Sequence, residues 1–190
     1  MPERALDLAV IIGSTREGRL GDTVARWFVR VAGQRPDFAI DLIDLAEAGL
    51  PTVHGSRSTP ELAAWSARIA AADAFVVVTP EYNHGYPAAL KLAIDWLRDE
   101  WRAKPVGFVA YGGISGGLRA VEQLRLVFAE LHAMTVRDVV SFHNAWDLFD
   151  AAGMPRDPEG CAAAARGMLD QLAWWARALH DARGQTARAA

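Results

Sequence analysis

The amino-acid sequence predicts an α/β fold: a doubly wound sandwich around a five-stranded parallel sheet in the order 2-1-3-4-5. Three observations carry this. Five short apolar runs alternate with five segments of helical period, and that alternation implies parallel strands covered by helices on both faces. The 190 residues allow one domain, with no internal repeat and no linker to split it. Hydrophobic residues at 52% and charged residues at 23% exclude wholesale disorder, and a chain of this size buries roughly 70% of its extended surface.

The elements follow in order. Leu8 to Ile12 is a buried strand ending at Gly13. Val24, Trp27, Phe28 and Val31 make one helix face, ended by Gly33 and Pro36. Phe38 to Asp44 alternates imperfectly and reads as an outer strand. Leu62, Trp65 and Ile69 form a second helix, started by Ser58 or Thr59 with Pro60 in its first turn. Ala74 to Thr79 is the most continuous buried strand. Leu90, Ile94, Leu97 and Trp101 repeat at helical spacing. Pro105 to Tyr111 is a strand with proline at its first position, where it is tolerated. Val121, Leu124, Phe128 and Leu131 form a fourth helix, and Met134 to Phe142 a fifth strand. His143 to Glu159 is irregular, either a lid or an extended connection. Met168, Leu172, Trp175 and Leu179 form the last helix. The polar, alanine-rich stretch from Asp181 is expected to fray, so the domain is placed at 1–182 and a disordered tail at 183–190.

Composition removes several function classes. Cys161 is the single cysteine, which excludes a disulfide framework and a cysteine zinc cluster and fits a reducing compartment. A net charge of −3 carries no nucleic-acid signature. The N-terminus has no apolar core of a signal peptide, and no run approaches the roughly 20 residues of a membrane span. The expected location is the cytoplasm. Seven tryptophans against three tyrosines stand out.

Ligands of such sheets bind beyond the carboxyl ends of the strands where their order reverses. The loops after strands 1, 3 and 4 are the three most unusual stretches. Gly13 to Thr23 is rich in glycine and hydroxyls and runs into a helix N-terminus, which makes an anion site; Ser14 and Thr15 add hydroxyls, and Arg16 and Arg19 add charge. The frame Gly13 to Gly18 fits a nucleotide P-loop, but Arg19-Leu20 replaces its Lys-Ser/Thr. The dinucleotide pattern fails at Thr15. The plainer reading pairs both arginines with Glu17 and Asp22. In the second loop, Pro80 and Pro87 stiffen Glu81, Tyr82, Asn83, His84, Gly85 and Tyr86, which suits the edge of a flat heteroaromatic ring. No metal site is read at His84, since no second histidine is near. The third loop, Tyr111-Gly112-Gly113-Ile114-Ser115-Gly116-Gly117, lets backbone approach a ligand closely.

Together these loops resemble the NADPH-dependent FMN reductase family, whose fold is flavodoxin-like. The matching stretches are GSTREGRLGDTVARWF (13–28), PEYNHGYPAALKLAIDWL (80–97) and YGGISGGLRAVEQLR (111–125). The resemblance covers about residues 8 to 180. It implies that Ser14, Arg16 and Arg19 hold the FMN phosphate. It places Pro80, Glu81, Tyr82, Asn83 and His84 along the isoalloxazine ring, and Tyr111, Gly112, Gly113 and Ser115 near its pyrimidine side. Two departures are visible. Lys91-Leu92 stands where the family often has Lys-Asn, which affects packing or a subunit contact. Gly21 stands where some members have asparagine, a lost phosphate donor that Arg19 would offset.

The resemblance implies a ping-pong oxidoreductase, with NADPH or NADH as co-substrate and flavin N5 carrying the hydride, so that no side chain is catalytic. The acceptor, whether flavin, quinone, azo compound or another, is not legible. The alternative is a flavodoxin-like electron carrier or flavin-binding regulator, but the two loop arginines and small net charge fit that class poorly. Cys161 reads as a small buried residue, His132 and His180 as helix-end residues, and His54 as solvated. Trp27 and the Trp174-Trp175 pair read as core. Trp96 and Trp101, amid Asp95, Arg98, Asp99 and Glu100, are expected to bury in a homodimer or tetramer contact that walls the active site.

Overall fold

A computed structural model describes residues 4–53, 55 and 59–189; His54 and Ser58 lie outside the described residues. The five strands are β1 (Leu6–Ile12), β2 (Phe38–Asp44), β3 (Ala74–Pro80), β4 (Pro105–Gly112) and β5 (Met134–His143). They form one sheet in the order β2-β1-β3-β4-β5, every pair parallel. This is the flavodoxin-like arrangement that the sequence predicts.

Every residue of β3 and β4 is buried, as central strands covered on both faces require. Alternate residues feed two cores. Leu8, Val10, Val76 and Val78 meet α1 (Gly21–Ala32) and α5 (Pro158–Ala189) through Val24, Trp27, Phe28, Met168 and Leu172. Ile11, Phe75, Val77 and Phe108 meet α2 (Pro60–Ala71), α3 (Ala88–Asp95) and α4 (Leu118–Glu130) through Leu62, Trp65, Leu90, Ile94, Leu124 and Phe128. Helix α2 begins as its sequence reads: Thr59 Oγ1 accepts from the Leu62 amide, and Pro60 takes a first-turn position that needs no donor.

Helix α3 is shorter than its apolar repeat. It stops at Asp95, and Asp99–Trp101 form a separate 3-10 turn, so Leu97 and Trp101 do not continue its stripe. The expected subunit contact through Trp96 and Trp101 is therefore corrected. Trp96 is 2% exposed and Trp101 0%, both inside the core of one chain. The early stop turns Trp101 inward among Trp65, Phe75 and Phe128, at centroid distances of 5.9, 4.7 and 5.6 Å. Its Nε1 donates to Ile94 O, a helix-end carbonyl that also accepts from Leu97 N, and Trp96 Nε1 donates to Pro51 O. Leu92 packs partly against the same core, and Lys91 pairs with Asp95 on the surface.

The last helix runs on to Ala189, past the apolar stripe that ends at Leu179. Polar contacts extend it: His180 Nδ1 lies 3.1 Å from Asp73, and the Arg183 guanidinium donates to Ala103 O. His180 is thus a mid-helix partner of a buried aspartate. Trp27 is core as read, Trp175 packs partly against the core, and Trp174 is 63% exposed. Cys161 is half-buried, and burial beside Asp157 raises its thiol pKa. The segment after β5 is folded down: Phe149 lies 4.9 Å from Phe142, and Arg30 donates to Gly153 O at 2.7 Å.

Candidate functional site

The carboxyl ends of β1, β3 and β4 open onto a cavity of about 420 Å³. Its lining comes from the loop after β1 (Arg16, Glu17, Gly18, Arg19, Leu20), from Pro80, Glu81 and Tyr82, from Tyr111, Gly112 and Gly113, and from Trp146. The three loops singled out in the sequence do converge.

The loop after β1 turns at Gly18 (φ 66°) and delivers the start of α1, whose N-cap Leu20 makes no side-chain hydrogen bond. The first amides of α1 therefore have no side-chain acceptor, the arrangement that receives an anion. Ser14 is fully buried, with its Oγ 2.7 Å from Tyr82 Oη. The Arg16 guanidinium lies 5.9 Å from the Tyr82 ring centroid. Arg19 pairs with Asp22 at 2.9 Å and also with Asp44. Its partners are thus the two aspartates that flank the loop, and Glu17 is not among them.

Tyr111 reaches the same place from β4. It is 6% exposed, and its hydroxyl has no hydrogen-bond partner among the described residues. Burial pushes that hydroxyl above the ordinary tyrosine range. A Cβ on Gly21 would stand 2.9 Å from Tyr111 Oη and 3.1 Å from Ile12. Gly21 thus makes room for a phenol at the N-terminus of α1. An unpaired buried hydroxyl costs about 1–3 kcal/mol, and Tyr111 carries that cost at a residue that lines the cavity. The Tyr111 hydroxyl stands against Gly21 at the start of α1, and its neighbours Gly112 and Gly113 line the same cavity.

Glu81 points inward. Its carboxylate accepts from Ser115 Oγ at 2.6 Å, Arg119 N at 3.2 Å and Arg119 Nε at 2.6 Å. Burial opposes its charge, yet the hydrogen bonds of Ser115 and Arg119 hold its pKa below the ordinary 4.5. Glu81 and Ser115 thereby tie the loop after β3 to the start of α4. Asn83 and His84 take left-handed backbone (φ 49° and 70°) in a tight turn closed by Tyr82 N to Gly85 O at 2.8 Å. His84 Nε2 lies 2.8 Å from Arg119 Nη1, and His84 O accepts from Gln123. Ser14, Asn83, His84 and Ser115 support the cavity from behind or beside it and are not among its lining residues.

The glycine loop after β4 is held by the end of β5. Ser141 Oγ donates to Gly116 O, and Asn144 N to Gly113 O, both at 2.9 Å. A Cβ on Gly117 (φ 87°) would lie 2.7 Å from Tyr111 N, so only glycine fits. No group of three metal-ligating side chains occurs among the described residues. Sequence reasoning missed Trp146, which lines the cavity from the 3-10 turn Ala145–Asp147 and is 66% exposed. Its one sequence signal is an aromatic residue just beyond the fifth strand.

These residues fit FMN. The uncapped α1 N-terminus and the Tyr111 hydroxyl suit the phosphate end, and Pro80 to Tyr82 with Gly112 and Gly113 suit a flat ring. Comparison with known proteins agrees. A family model described as NADPH-dependent FMN reductase matches residues 6–147. An NAD(P)H-dependent FMN reductase of Schizosaccharomyces pombe is 42% identical over 130 residues, covering 62% of this chain and 65% of that protein. The chain thus spans just under two thirds of that relative's length. A quinone reductase of Escherichia coli K12 is 34% identical over 140 residues, covering 69% of this chain and 73% of its own. Among solved structures, the flavoenzyme NAD(P)H:(acceptor) oxidoreductase FerB of Paracoccus denitrificans shares the fold, with a TM-score of 0.74 at 23% identity over 91% of this chain and 98% of that one. The chain belongs to the NADPH-dependent FMN reductase family.

Proposed function

We propose that this chain is an FMN-containing, NAD(P)H-dependent oxidoreductase that reduces a small-molecule acceptor such as a flavin, quinone or azo compound in a ping-pong cycle. The observation that carries the reading is the cavity at the carboxyl ends of β1, β3 and β4, with an unpartnered Tyr111 hydroxyl beside an uncapped helix N-terminus. When bound, FMN supplies the centre that takes and returns the hydride.

The side chains bind and orient. The α1 amides, Arg16, Arg19 and Tyr111 receive the phosphate end, and Ser14 fixes the loop behind them. Pro80, Glu81, Tyr82, Asn83 and His84 set the level of the ring, with Glu81 acting through Ser115 and Arg119. Gly112 and Gly113 allow close backbone approach on the pyrimidine side. No side chain is assigned a proton-transfer role.

The chain works as a homodimer or tetramer in this reading. Its contact does not use Trp96 or Trp101, which are buried within the chain at 2% and 0% exposure. The cytoplasm is its location, supported by the single cysteine; no helix among the described residues is long and apolar enough to cross a membrane.

Purified protein is titrated with FMN and then assayed with NADPH, NADH and a quinone. Micromolar or tighter FMN binding and rapid reduction by a nicotinamide nucleotide support the reading. FMN binding without direct reduction by either nucleotide would instead identify an electron carrier.

A further inference from the structure

Of the eight large hydrophobic side chains exposed on the described surface, Trp146 is the one that lines the cavity. Single exposed apolar residues are ordinary and need no explanation. Trp146 differs in three respects. It stands beside two glycines, with its Cη2 3.6 Å from where a Gly113 Cβ would lie, so no side chain of Gly112 or Gly113 intrudes. Its base is fixed: Ala145 is fully buried, Asn144 N donates to Gly113 O at 2.9 Å, and Leu148 N donates to Ala145 O at 3.1 Å. Its neighbour across Gly113, Ile114, is 84% exposed, which makes this side of the mouth apolar.

An indole on a rigid base loses little freedom when a ring stacks on it. The loop after β1 brings charge to the cavity instead, through Arg16, Glu17 and Arg19, the last paired with Asp22 and Asp44. Trp174, the other exposed indole, packs edge-on against Trp175 at 4.8 Å and lines no cavity that contains Trp146.

We infer that Trp146 determines which second substrate this chain accepts: a flat conjugated ring stacks on its indole at the mouth of the cavity. Planar aromatic and quinonoid acceptors are then favoured over compact inorganic ones. The inference rests on the flavin-dependent reading of the same cavity.

The test compares FMN-loaded wild type, Trp146→Ala, Trp146→Phe and Trp174→Ala. The readout is the ratio of kcat/KM for 2-methyl-1,4-naphthoquinone to that for ferricyanide. In Trp146→Ala the ratio falls roughly three- to tenfold, the range of one aromatic contact, through the KM for the quinone. Trp146→Phe recovers most of it, and Trp174→Ala matches wild type. A second readout needs no turnover. In oxidised, FMN-loaded protein without nicotinamide, the naphthoquinone quenches the emission difference between wild type and Trp146→Phe. An unchanged ratio in Trp146→Ala, a loss that Trp146→Phe does not restore, or an unquenched difference emission overturns the inference. Failure of wild type to load FMN is a separate result, seen before any acceptor is added, and it overturns the functional reading beneath.

Discussion

Tyr111 brings an unpartnered hydroxyl to the start of α1, and Gly21 leaves the space it needs. Its replacement by phenylalanine removes a buried polar atom that the ligand-free protein does not satisfy. The stability of the ligand-free protein is then unchanged or higher. The Kd for FMN rises at least about tenfold, since a hydrogen bond to a charged group is worth roughly 1.5–3 kcal/mol. Thermal melts with and without FMN show the two opposite effects. Glu81 yields a pH prediction. Its carboxyl is held below 4.5 in the folded chain, so its contribution is complete above that pH and is lost as pH falls through the folded value. Glu81→Gln is less stable at neutral pH, and the gap closes on acidification; urea titrations from pH 7 to pH 3 measure it. Several site residues were legible by type but not by direction. Nothing in Pro-Glu-Tyr-Asn says that the glutamate turns toward Ser115 and Arg119, because those partners lie more than thirty positions along the chain.

Among the elements, the strands were the most legible, because continuous burial leaves a run of apolar residues that few other structures need. Helix ends were less so. The repeat from Leu90 to Trp101 has helical spacing, yet α3 stops at Asp95, and the tertiary pull of Trp65, Phe75 and Phe128 on Trp101 overrides the period. The edge strand β5 hides another feature from sequence. It shifts register against β4 between Val106 and Phe108, and Arg125 covers its backbone by donating to Val136 O at 2.7 Å and Arg137 O at 3.0 Å. A guarded edge of this kind resists pairing with other chains. The end of α2 is also capped from a distance. Lys104 Nζ donates to Ile69 O and Ala70 O, both at 2.8 Å. Burial, with Arg183 nearby, lowers its pKa from 10.5 to about 8. A lysine depressed in the folded state binds fewer protons there than in the unfolded state, so stability rises with pH from about 8 toward 10. Lys104→Met lacks this rise and is less stable throughout, which denaturant titrations across that window check.

In the whole molecule, the tryptophan excess serves the core. Trp27, Trp65, Trp96 and Trp101 are all buried at 2% exposure or less, on both faces of the sheet. Trp101→Ala opens a cavity among three aromatic rings and destabilises the chain by about 3–5 kcal/mol, without changing its oligomeric state. Urea unfolding and light scattering together distinguish this from a subunit contact. Topology and loop placement were legible because alternation and the switch-point rule act on the whole chain. Trp146 was not, because its role depends on where β5 ends beside Gly113. The central claim is that the cavity over β1, β3 and β4 binds FMN with its phosphate at the α1 N-terminus. Calorimetric titration of wild type and Tyr111→Phe with FMN and with riboflavin tests it most directly. Wild type binds FMN at micromolar Kd or tighter and far better than riboflavin, and the variant loses most of that preference. Equal affinity of wild type for the two flavins, or no binding of either, would contradict it.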